Sequence, residues 1–77
     1  MDKMKKKILV RRAAKLWAKK KTWESKVNGF GNVYKPTADI IVKFSELGYY
    51  ALKYRIEDIK YRIKALKMEY TEKLRAA

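Results

Sequence analysis

Leu52, Ile56, Ile59, Ile63, Leu66 and Tyr70 recur at alternating intervals of four and three residues. That spacing is an a/d seam sustained over nearly three heptads, which only an α-helix can present as one stripe. A helix with such a stripe must lay it against another helix. The remaining question is whether that helix belongs to the same chain.

The stretch from about Lys5 to Val27 contains no Gly or Pro. Leu9, Val10, Ala13, Leu16, Trp17, Trp23 and Val27 fall on one arc of a helical projection, so the first element is a helix over about 5–27. Asn28-Gly29-Phe30-Gly31-Asn32 then supplies two glycines tolerant of positive φ, the usual chemistry of a helix end. Phe30, Val33 and Tyr34 are expected to tuck back onto the core and hold this loop.

Pro36 and Thr37 suit a helix start, with Asp39 at the positive end of the dipole. The helical pattern then continues to about residue 75, with one flaw at Gly48. Interior glycine costs about 1 kcal/mol relative to alanine. The pattern favours one long helix, unbroken or kinked, over a break at Gly48. Unbroken, it would be ~57 Å long and would overhang the first helix. The expected fold is a single all-α domain spanning residues 1–77. It is a helical hairpin with coiled-coil-like packing.

Leu47, Tyr50, Tyr54, Tyr61, Ala65 and Met68 form a second apolar stripe beside the seam. One short helix cannot cover both. Tyrosine suits interfaces because its ring is apolar while its hydroxyl stays wet. The seam residues together with Tyr50, Tyr54 and Tyr61 are therefore the expected contact with a second copy or another protein. An intramolecular hairpin would use the seam in the same way.

Charge is unevenly placed. The net charge is +13, and ten Lys or Arg stand among the first 21 residues, with Asp2 the one acid there. Residues 1–38 carry 12 basic and 2 acidic side chains, giving +10. Lys7, Arg11, Arg12, Lys15, Lys19 and Lys26 cluster on the side of the first helix opposite its apolar arc. Like charges four apart repel by about 0.2–0.5 kcal/mol per pair. A face that does not relieve this repulsion internally points to an external polyanion.

A phosphate backbone is the natural partner, because neutralising phosphates releases condensed counterions. Base-specific reading is harder to place, since the ridge is mostly Lys while Arg, Asn and Gln read base edges. Trp17, Trp23, Phe30 and Tyr34 could stack bases, but at this spacing they read as core. The apolar arc is too small and too interrupted by Lys6 and Lys20 for an interfacial membrane helix. No apolar run is long enough for a membrane span or a secretory signal, and the expected location is cytoplasmic, with nucleoid or ribonucleoprotein association compatible.

Chemistry is sparsely equipped. There is no Cys and no His, hence no disulfide framework or ordinary zinc site. Ser25 and Ser45 have no base, and no Gly-rich phosphate loop exists. No enzyme activity, metal, cofactor or small-molecule substrate is expected. The sequence reads as a nucleic-acid-binding protein, DNA slightly favoured over RNA, dimerising through its C-terminal helix. The alternative is a small interaction module or inhibitor, of the size of phage or mobile-element accessory proteins, docking its Tyr-rich helix on a larger partner.

Overall fold

The computed structural model describes residues 3–76, with side chains from Met4 onward; Asp2 lies outside this range. Three helices follow one another: α1 (Lys3–Val27), α2 (Ala38–Ser45) and α3 (Tyr49–Ala76). The described residues contain no strand. The all-α architecture, with α1 packed on α3 and a loop between, is as the periodicities predict.

Helix α1 ends as its glycines require. The Phe30 N–H donates to the Ser25 carbonyl (2.9 Å) and the Gly29 N–H to the Lys26 carbonyl (3.2 Å). With Gly29 at φ 86°, this is a Schellman motif. Gly29→Ala places a Cβ in the left-handed region and should cost about 1–2 kcal/mol, measured as a lower denaturation midpoint with unchanged helical content.

The loop is held differently from expectation. Phe30 and Val33 are more than 70% exposed, and Tyr34 is also exposed. The main chain is anchored instead: Asn32 N–H donates to Ser25 Oγ (2.9 Å) and Tyr34 N–H to Thr22 Oγ1 (3.0 Å). Two hydroxyls on α1 thus replace apolar tucking. Helix α2 then starts where its cap residue stands, with Thr37 Oγ1 accepting from the Ile40 N–H (3.2 Å).

The second arm is broken, not continuous. The chain leaves the helix after Ser45 and re-enters at Tyr49. Ser45 Oγ donates to the Val42 carbonyl (2.7 Å) at the end of α2. The Gly48 carbonyl accepts the Leu52 N–H (2.9 Å) and opens α3. Gly48 is outside the positive-φ region; its part is that of a helix-starting residue. The tertiary reason for the break is burial. Helix α2 already reaches the level of Val10 at Ser45, so a straight helix would carry Leu52, Ile56, Ile59 and Ile63 past the start of α1, whereas the break turns them back onto the core beside Phe44.

This break also sets the direction of the last helix. Ser45 sits beside Val10, Ile59 and Arg62 beside Trp17 and Lys20, and the Trp23 and Tyr70 rings meet edge to face at 5.8 Å. Lys73 Nζ reaches the Val27 carbonyl (2.9 Å). Rising numbers on α3 match rising numbers on α1, so these two helices run parallel and α2 returns between them. The expected hairpin survives as a loop-joined pair, α1 and α2.

The core holds Val10, Ala13, Ala14, Phe44, Leu52, Ile56, Ile59 and Ile63. Ala13, Ala14 and Ala18 are essentially fully buried, and their small side chains let both neighbouring helices come close to α1. No described helix is long and apolar enough to cross a membrane.

Candidate nucleic-acid interface

The six expected contact residues, Lys7, Arg11, Arg12, Lys15, Lys19 and Lys26, are all exposed. Arg11, Arg12, Lys15 and Lys19 lie on the outer side of α1, Lys7 borders Ser45 at the end of α2, and Lys26 lies beside Tyr70 of α3. Arg11, Arg12 and Lys15 surround a shallow hollow floored by Ile8 and Leu16. Among the described residues none of the six is paired with a carboxylate; the ion pairs of α1 join Lys20 and Lys21 to Glu24 instead. The repulsion along the ridge is therefore not relieved from within the fold.

Lys26 is the one ridge residue with a defined partner. Its Nζ lies 5.0 Å from the Trp23 ring centroid and 5.1 Å from that of Tyr70. Lys67 Nζ, from α3, lies over the same Trp23 ring at 5.6 Å. Two cations over one indole are tolerated because the ring face attracts both. Trp17 and Trp23 are half-buried and pack on the core, as expected of core residues.

The position of Lys67 beside the ridge was not legible from the sequence. It belongs to the mixed-charge C-terminal half, and only the parallel packing brings it beside Lys26. The available signal was the seven-residue repeat of Lys53, Lys60 and Lys67.

The proposed interface splits in two. Leu52, Ile56, Ile59 and Ile63 are buried within the chain itself, against α1 and Phe44. Leu66 and Tyr70 are half-buried at the same junction. Their expected role as a contact with a second chain is corrected accordingly: α1 covers this seam. Tyr50, Tyr54 and Tyr61 lie on the opposite side of α3, at 76%, 75% and 74% exposure, with Met68 exposed along the same line. None of the described residues covers that side.

A separate hollow of about 580 Å³ lies where the three helices meet. Its cations Lys20, Lys43, Arg55 and Arg62 are interleaved with Glu46 and Asp58, and Arg62 donates to Asp58 at 3.3 Å. With four cations and two acids it keeps a net +2, against six cations and no acid on the ridge. The described residues hold no group of three or more acids that could bind a metal ion. Compared with protein-family models, curated proteins and solved structures, the chain matches none.

Proposed function

We propose that this protein binds nucleic acid without catalysis, through phosphate contacts from the outer side of α1. DNA is slightly favoured over RNA. The observation that carries the reading is the ridge itself: six exposed cations on one helix side with no carboxylate partner among the described residues. An ordinary solvated helix interleaves acids, as α3 does with the Lys60–Glu57 and Arg62–Asp58 pairs. Lysine contacts to phosphate give affinity and register but carry little sequence information.

The test is binding to a labelled mixed-sequence duplex and the matching RNA across a salt series. The expected slope of log K against log salt is about −4 or steeper, at about −0.9 per phosphate neutralised on B-DNA. Failure of both nucleic acids to bind at low salt removes the reading.

A second reading rests on the exposed tyrosines of α3. Tyr50, Tyr54 and Tyr61 form a stripe about 180° from the buried seam, at about 3.6 residues per turn. Such a stripe fits self-association or docking on a larger protein. On this reading Tyr50→Ser, Tyr54→Ser and Tyr61→Ser together convert an assembled species to monomer in sedimentation, with the helical content intact. A wild-type chain that is monomeric at high concentration and unchanged by the triple substitution leaves the stripe as solvated surface.

A further inference from the structure

The ridge on α1 is half of a larger feature. Arg12, Lys19 and Lys26 recur every seven residues along the flank of α1 that carries Trp23. Lys53, Lys60 and Lys67 recur every seven residues along α3, and all are exposed. A seven-residue repeat drifts by only about 20° per heptad on an α-helix, so each set forms a line nearly along its axis. Successive cations are about 10.5 Å apart at 1.5 Å per residue.

Because α1 and α3 are parallel neighbours, the two lines run side by side on one side of the molecule. Their register is fixed at Trp23, where Lys26 and Lys67 approach the same ring from different helices. The half-buried Leu9, Leu16 and Trp23 floor the furrow between them. The acids are largely elsewhere. Glu24, Asp58 and Glu69 lie on the opposite flank, around Arg62, and Asp39 and Glu46 belong to α2 and its end. Among the described residues Glu72 lines a hollow with Lys67 and Arg75 at the far end of α3, and Glu57 pairs with a furrow cation, Lys60, at 3.6 Å in an exposed pair. Such pairs are weak and salt-screened, so a phosphate can displace this one.

We propose that this furrow, walled by lysines from both helices, is a groove for a single nucleic-acid strand. This deepens the nucleic-acid reading and rests on it. Neighbouring helices lie about 8–10 Å apart. At that axis-to-axis spacing the lysines of the two helices can stand on either side of one sugar–phosphate chain, whereas a duplex rests on the outer cations and reaches fewer of them. The partly exposed Leu9, Leu16 and Trp23 offer apolar surface to the sugars, and the cations supply the backbone-tracking part of sequence-tolerant single-strand binding. The Trp23 ring is taken by two lysines and Tyr70, so the furrow tracks the backbone and reads no sequence.

The experiment compares the wild-type chain with K53Q/K60Q/K67Q and with K43Q/R55Q/R62Q, which removes the same charge from the other flank. Each is titrated with an oligothymidylate of about 20 nucleotides and with a mixed-sequence 20-bp duplex across a salt series, and circular dichroism checks the fold. The oligothymidylate should bind the wild type at least tenfold tighter than the duplex does. The furrow variant should lose at least tenfold in affinity for it, with a slope shallower by about 2, from three contacts at about 0.7 each. The opposite-flank variant should lose less than threefold.

Equal losses in the two variants mean that only net charge matters and overturn the furrow. So does a furrow variant that binds like wild type, or a duplex bound as tightly as the single strand; in those cases binding itself persists and the α1 reading stands. A wild-type chain that binds neither form removes both.

Discussion

Reversing Lys7, Arg11 and Lys15 to glutamate is expected to weaken binding to nucleic acid by at least 100-fold near 0.1 M salt. Each lost phosphate contact flattens the salt slope by about 1, and three carboxylates add repulsion at the same sites. The net charge falls from +13 to +7, since each reversal removes two charges. Stability should not fall with it. All three side chains are exposed, and a glutamate at position 15 stands four residues before Lys19, the favourable order for a helix pair. Retained or raised thermal stability with lost binding is the expected signature. Binding retained at wild-type strength would mean that the ridge is only solvated surface.

The second large effect concerns the seam. Leu52 is fully buried, the largest side chain among the described residues to be so. Leu52→Ala should cost about 2–5 kcal/mol, combining lost transfer energy with a cavity that the helices only partly close. A domain of 77 residues has roughly 4–12 kcal/mol in total. The variant should therefore melt about 8 °C lower or more, at roughly 4–8 °C per kcal/mol. Because Leu52 packs on the chain's own core, this loss should not depend on protein concentration. A loss of stability that shrinks as concentration rises would instead show that the seam is completed by a second copy.

These two experiments separate the two surfaces that the sequence presented together. The buried stripe of α3 holds the fold, and the basic side of α1 is available to a ligand. The tyrosines at 50, 54 and 61 belong to neither, since they lie away from α1 and away from the ridge.

How much of this could be read from the sequence depended on the range of the interactions involved. The end of α1 at Val27, the Thr37 cap and the helical character of both arms were legible, because each follows from neighbours within a few residues. The exposure of Lys7, Arg11, Arg12, Lys15, Lys19 and Lys26 was legible for the same reason: a 3.6-residue period separates them from the apolar arc. The fate of Phe30 and Val33 was not, because the hydroxyls of Ser25 and Thr22 compete with apolar burial for the loop.

Three features were decided only by tertiary structure. At Gly48 the local cost of a helical glycine could not choose between a kink and a break; returning Leu52, Ile56, Ile59 and Ile63 to the core beside Val10 and Phe44 chose the break. That break reversed the chain once more than a simple hairpin does, which made α1 and α3 parallel. With two apolar stripes on one helix, periodicity could not say which would face α1. The stripe of Leu52, Ile56, Ile59 and Ile63 prevailed because branched aliphatic side chains fill the space beside Ala13 and Ala14, while tyrosine must keep a hydroxyl satisfied. The row of Lys53, Lys60 and Lys67 acquired its place beside Lys26 from the same packing, since the position of one helix against another depends on contacts more than forty residues apart in the chain.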